Sequence, residues 1–146
     1  MKPTLRAGLK HEFKYLVPEN KTVPYLYPES GIFQGMPAVF ATGYMVGLIE
    51  WACIDAIQPH LDDGEQSVGT DVRFSHSAAT PPGFMVSVKV TLERVEGRKL
   101  AFSISADDGV DVISEGTHER LVIDSGRFMR KVQEKAAAHA AAQAKA

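Results

Sequence analysis

Cysteine is nearly missing: Cys53 is the one thiol among 146 residues. That excludes an intrachain disulfide and any paired-cysteine metal knuckle, and it suits a reducing compartment. An excess of charge of either sign is missing too. With 16 Lys and Arg against 18 Asp and Glu, the formal net charge is −2, so no broad basic face advertises nucleic acid or an anionic membrane. No apolar run approaches the about 18 residues of a membrane span, and the opening "MKPTLRAGLKHEF" has no apolar core of signal-peptide length. Nor is there a phosphate-cradling glycine loop, a nucleophile elbow or metal-ligand spacing. A hydrophobic fraction of 45% and a charged fraction of 23% are ordinary for a globular protein. The expectation is a single cytoplasmic domain of ordinary size.

What is present divides into an irregular segment, a buried helix and a set of strands. "HEFKYLV" (11–17) reads as a first strand ending at Pro18. From Pro18 to Pro37 the chain carries four prolines and two glycines, yet keeps Tyr25, Tyr27, Ile32, Phe33 and Met36. So many apolar groups in a long ordered loop suggest a lid or binding loop, or else a cover for a sheet edge. The helix is expected over 40–58, closed by Pro59. Strand patterns follow in "SVGTDVRFSH" (67–76), "FMVSVKVTLERV" (84–95), "LAFSISA" (100–106) and "VDVISEGTHERLVI" (110–123), with "EGRK" and "DDG" as turns. The alanine-rich end, 125–146, reads as a solvated helix or a tail. An antiparallel meander with one helix too apolar for a surface predicts an α+β fold. A sheet curled around a central helix, the hot-dog arrangement, is one solution, with pairing of two chains covering its edges.

Polar residues break this pattern in a few places. Glu50 sits among Val46, Leu48, Ile49, Trp51, Ala52, Cys53 and Ile54, with no Lys or Arg anywhere in 39–58. An ionised carboxylate in low dielectric needs a partner, so one must come from elsewhere in the fold. Gly43 and Gly47, spaced i and i+4, shave one helix stripe for close approach of a ligand or backbone, and Glu50 flanks it. Thr42, at the helix head, is either an N-cap or a hydroxyl beside amides that stabilise an oxyanion. In one straight helix Thr42 and Glu50 are about 12 Å apart, so they cannot touch directly. His76 points where Val72 and Phe74 point, as a satisfied core residue or as the imidazole of an acid–base site with Glu50. His118 and Arg120 alternate onto one face of the last strand, where Arg120 is an anchor for phosphate or carboxylate, or an edge charge.

The segments "KTV", "LYPES", "VFATGYMVGLIEWAC", "HSAATPPG", "VEGRKL", "DDGVD" and "EGTHERLVI", with the "GT" that follows a short acidic loop, closely resemble the fluoroacetyl-CoA thioesterase family of hot-dog enzymes, from about residue 11 to 124. The resemblance implies a single hot-dog thioesterase domain over 1–124, with a lid at 18–37, paired as a homodimer with the active site near the subunit interface. It implies Thr42, Glu50 and His76 as the catalytic set, the Gly69 amide holding the thioester carbonyl, and Arg120 near the acyl pocket. Phe33 and Met36 would belong to the lid above the acyl group. Met36 stands where the more fluorine-selective members carry a second lid aromatic.

The expected activity is hydrolysis of fluoroacetyl-CoA or another short acyl-CoA to free acid and coenzyme A. No cofactor is called for, coenzyme A being part of substrate and product. Glu50 would attack the carbonyl or act as base on water. The competing expectations are a short-chain acyl-CoA thioesterase without fluorine preference, a hydratase of enoyl thioesters, and a non-catalytic acyl-CoA-binding module.

Overall fold

The computed structural model describes residues 1–145. Its central helix, α2, runs Thr42–Ile57, after a first strand β1 (Lys10–Leu16) and a one-turn helix α1 (Gly31–Gln34). Four strands follow, β2 (Glu65–Phe74), β3 (Met85–Glu96), β4 (Lys99–Asp107) and β5 (Val112–Asp124), then a terminal helix α3 (Ser125–Lys145). All strands join one antiparallel sheet in the order β1-β3-β4-β5-β2. This is the expected hot-dog arrangement of a sheet and its central helix.

The burial pattern explains why these elements form. Along α2 the buried side chains are Met45, Leu48, Ile49, Ala52, Cys53, Ala56 and Ile57, an i, i+3, i+4, i+7, i+8 pattern that lays one stripe on the sheet. Pro59 follows in a 3₁₀ turn, Gln58–His60, and ends the helix. Beneath it β3 buries Val86, Val88, Val90 and Leu92, while β4 buries Leu100, Phe102, Ile104 and Ala106. Both strands keep period two, so one sheet face is apolar throughout. Trp51 meets β1 across its ring, 4.6 Å between centroids to Phe13 and 6.2 Å to Tyr15.

The two turns read from sequence are present. Gly97, at φ +60°, takes the left-handed corner of the β3–β4 hairpin where Glu96 pairs Lys99. The Asp108 carboxylate accepts the amides of Val110 and Asp111 at 3.0 and 2.8 Å in the β4–β5 turn.

The meander differs from expectation at one strand. β3, β4 and β5 are consecutive hairpins, but β2 pairs with β5 at the far edge instead of with β3. Its connection to β3, residues 75–84, is ten residues rich in Ser, Ala and Pro, long enough to cross the sheet end and unlike a hairpin turn. Val72, expected inside, is exposed on this outer strand. The segment 18–37 is a chain of 3₁₀ turns at Glu19–Lys21 and Val23–Tyr25 plus α1. The C-terminal segment is helical as far as Lys145 and buries no residue; Ala146 of the 125–146 segment lies outside the described residues. No described helix is long and apolar enough to cross a membrane.

Candidate active site

Two polar clusters stand at different heights along α2. The first is at its head. Thr42 is the first helical residue, with Ala41 in the N-cap position. The hydroxyl is therefore not a cap: it lies 2.7 Å from His76 Nδ1. His76 does not end a strand as expected, because β2 stops at Phe74 and the imidazole comes from the connection that follows.

That connection is pinned on both sides. Ser75 and Ser77 amides donate to the carbonyls of Glu115 and Ile113 at 2.9 and 2.8 Å. Thr80, fully buried, accepts from the Phe40 amide through its carbonyl at 2.8 Å and donates its hydroxyl to the Asp108 carboxylate at 2.8 Å. His76 is thus held by four anchors against the positive end of a 16-residue helix. Burial keeps its imidazole below the usual histidine range. Its Nε2 is buried with no hydrogen-bond partner. An unpaired ring nitrogen beside a hydroxyl at a helix N-terminus is a place for a proton in transit.

The second cluster surrounds Glu50, two helical turns on. Its carboxylate is not paired with His76: Oε2 accepts from Arg120 Nη1 at 3.0 Å. The cation that α2 lacks comes from β5, 70 positions away in sequence. Arg120 is 3% exposed, and β5 lies inside the sheet, so it is neither an edge charge nor a free phosphate anchor. Its Nε donates to Ser67 Oγ at 2.8 Å, its Nη2 to the Ser67 carbonyl at 2.9 Å, and Nη1 also contacts His118 Nε2 at 3.0 Å. The Glu50 side chain keeps 35% of its surface exposed, so one end of the carboxylate is fixed while the rest faces outward.

Gly69 completes this cluster. A Cβ there would lie 2.8 Å from Glu50 Oε2, 3.3 Å from His118 Cε1 and 3.4 Å from Arg120 Nη1. The absent side chain is what admits the carboxylate to the strand. The ladder slips one residue just here, between Gly69 and Asp71, a bulge of the kind that re-aims groups beside functional sites.

The remaining expectations are distributed otherwise. Gly43 and Gly47 line a cleft of about 240 Å³ with Tyr15, Lys21, Phe40, Tyr44, Leu48 and Trp51, as their spacing suggested. A Cβ added at Gly43 would meet the Leu26 side chain of the irregular segment at 3.4 Å. Phe33 packs against Tyr27 with tilted rings, centroids 5.2 Å apart, and Met36 is 47% exposed. Both lie in the irregular segment 18–37 that was expected to form a lid. Sequence reasoning gave no role to His118 or Ser67. The inward alternation of His118 and Arg120 was the available signal, since an inward cation demands an anion.

Among the described residues no group of His, Cys, Asp and Glu is arranged to hold a metal ion. What the site offers is a hydroxyl–imidazole pair at a helix N-terminus and a guanidinium-held carboxylate, the components of acyl transfer to water.

Comparison with known proteins agrees with this chemistry. The model of the fluoroacetyl-CoA-specific thioesterase family matches residues 19–126. The fluoroacetyl-CoA thioesterase of Streptantibioticus cattleyicolor is 52% identical over 135 residues, 92% of this chain and 97% of that protein. A solved structure of a fluoroacetyl-CoA thioesterase mutant in complex with fluoroacetate is similar at a TM-score of 0.87 and 51% identity, covering 90% of this chain and 98% of that one. A thioesterase superfamily member from Thermus thermophilus is similar at a TM-score of 0.79 and 27% identity, over 94% of this chain and 99% of its own. By the extent of these matches, the chain belongs to the fluoroacetyl-CoA-specific thioesterase family.

Proposed function

We propose that this protein hydrolyses small acyl-CoA thioesters, fluoroacetyl-CoA among them, to the free acid and coenzyme A. The observation that carries the reading is the pairing of Thr42 with His76 at the head of α2, beside an imidazole nitrogen that has no partner. Solved relatives in complex with acetyl-CoA, and with fluoroacetate and CoA, support a small acyl group.

Hydrolysis needs an activated nucleophile, a site for the oxyanion and a proton for the leaving thiolate. The first-turn amides near Thr42 and the Gly69 amide receive the oxyanion. Glu50 attacks the carbonyl or takes a proton from water, and His76 carries the proton through Nε2 toward the thiolate. The Thr42 hydroxyl fixes the ring and orients the acyl group.

Glu50 lies about 12 Å along α2 from Thr42, so a second copy of the chain completes the site. Supporting this are the open edge of β2 and the exposed helix stripe of Gly43, Gly47, Trp51 and Ile54, surfaces that a homodimer covers. The protein acts as a cytoplasmic enzyme without a cofactor.

The test is thiol release from acetyl-, fluoroacetyl- and propionyl-CoA by the wild type, Glu50→Ala and His76→Ala. Each substitution is expected to lower kcat by at least about 100-fold. Mixing the two inactive variants should restore activity in hybrid dimers that keep one intact site. Thiol release unaffected by either substitution refutes the site. Single turnover in ¹⁸O-water separates the two roles of Glu50: label in its carboxylate means covalent attack.

A further inference from the structure

His118 takes no part in the proposed reaction, yet it is fully buried on the strand that carries Arg120. Both ring nitrogens are committed. Nδ1 lies 2.8 Å from the Asp71 carbonyl oxygen, which accepts and never donates, so the hydrogen must be on Nδ1. Nε2 lies 3.0 Å from Arg120 Nη1, and a guanidinium donates and never accepts. Nε2 must therefore be the bare nitrogen. The surroundings leave one state, the neutral Nδ1–H tautomer.

We propose that His118, in this one tautomer, is a positioning residue that aims the Arg120 guanidinium, and through it the Glu50 carboxylate, at the reacting centre. The inference rests on Glu50 being the working acid.

The geometry supports it from each side. Ser67 fixes only the Nε–Nη2 edge of the planar Arg120 guanidinium, and Nη1 is left for other groups to hold. Ser67 takes Nε and Nη2, and His118 takes the third donor group, the same Nη1 that reaches Glu50. The imidazole is wedged between Phe74 and Phe102, with centroids 5.7 and 6.4 Å away, so it cannot drift. Charges acting on the ring come from Arg120 on its own strand, Glu50 on α2 and Asp71 on β2. Burial foremost, together with Arg120, holds the imidazole below the usual histidine range, against the opposing pull of the carboxylates and the Asp71 carbonyl. A proton added at Nε2 would face the guanidinium, breaking the contact that orients Nη1. Supporting groups of this kind commonly matter by about 10- to 100-fold in activity.

The experiment compares His118→Phe, His118→Gln and Glu50→Gln, singly and with His118→Phe placed on Glu50→Gln. His118→Phe keeps the aromatic wedge and removes both polar contacts, and kcat is expected to fall about 10- to 100-fold with KM nearly unchanged. His118→Gln, whose amide oxygen reaches the place of Nε2, restores most of kcat. On Glu50→Gln, His118→Phe causes no further loss, because the group it aims is already gone. Wild-type kcat in a folded His118→Phe beside an inactive Glu50→Gln overturns this role and leaves Glu50 intact as the acid. Multiplying losses in the double variant overturn it as well. Full activity in Glu50→Gln instead overturns the acid itself. Should His118→Phe not fold, ¹⁵N spectra of the wild-type imidazole decide: hydrogen on Nδ1 alone near neutral pH supports the role, and hydrogen on Nε2 overturns it.

Discussion

The methyl group that Gly69→Ala would add is the smallest perturbation that reaches the carboxylate without touching it chemically. On the present backbone the new carbon lies 2.8 Å from Glu50 Oε2, where ordinary contact begins near 3.4 Å. The carboxylate must retreat by the difference, about 0.6 Å. Arg120 cannot follow, because Ser67 and His118 hold its other contacts at 2.8 to 3.0 Å. Directed along the bond, that retreat stretches the 3.0 Å contact between Arg120 and Glu50 to about 3.6 Å, outside hydrogen-bond reach. The new carbon also presses on His118 Cε1 at 3.3 Å, so the ring offers no relief.

Stability should change little. Replacing glycine inside a strand gains about 0.5–1 kcal/mol from the unfolded chain, and a weakened, partly exposed ion pair costs a similar amount. The melting temperature is expected to stay within about 4 °C. Catalysis is more demanding of position, and displacements of this order cost up to about 100-fold. The assay is coenzyme A release from acetyl- and fluoroacetyl-CoA, followed by thiol reagent beside a thermal melt of the same preparation. A folded Gly69→Ala with wild-type kcat on both substrates would refute the claim that Glu50 works from the place where Arg120 holds it.

Further outcomes follow from the same geometry. Burial holds His76 and His118 below the ordinary histidine value of 6.5, so between the folded and unfolded values the unfolded chain binds more protons. Stability must then fall as pH drops through 6.5 and level off below the folded values; a urea midpoint no lower at pH 5.5 than at pH 7.5 contradicts this. Cys53 is fully buried and its thiol is pushed up to about 12, chiefly by burial. It should resist iodoacetamide in the native protein and react fully in denaturant, and rapid native labelling would show that α2 opens. If the segment 18–37 is the expected lid, Met36→Phe adds a second aromatic to it and is expected to raise the fluoroacetyl-to-acetyl ratio of kcat/KM by up to about tenfold, the scale of a shape change in an apolar pocket. An unchanged ratio means that residue 36 does not face the acyl group.

How far these features could be read in advance depends on the range of the interaction. The helix over Thr42–Ile57 and strands β3, β4 and β5 rest on periodicities of 3.6 and 2, which are local and survive in any tertiary setting. The place of β2 does not. Its pattern is that of a strand, but which edge it joins is decided by the span of residues 75–84 and by the space left beside β5. His76 was read as the end of that strand, although the ladder stops at Phe74 and the turn that follows hands the ring to Thr42. The slip between Gly69 and Asp71 also breaks the period of two: Val68, read on the same side as Val72, pairs with exposed Leu121, whereas Val72 pairs with buried His118.

The partner of Glu50 was harder to foresee but not hidden. Two residues carried the same unsolved problem: an acid on an apolar helix with no cation nearby, and an arginine alternating inward on the last strand. Each is too costly to bury alone. Matching them to each other follows from the need to compensate charge in a low-dielectric interior. Matching the acid to His76 does not, because a neutral imidazole pays no such debt. The structure pairs charge with charge and leaves the imidazole with a hydroxyl. The consequence is a division of labour along one helix: at its head a neutral pair free to move protons, and two turns further an acid held in place by a fixed guanidinium. On the proposed reading, a second molecule of the same chain brings the two to a single carbonyl.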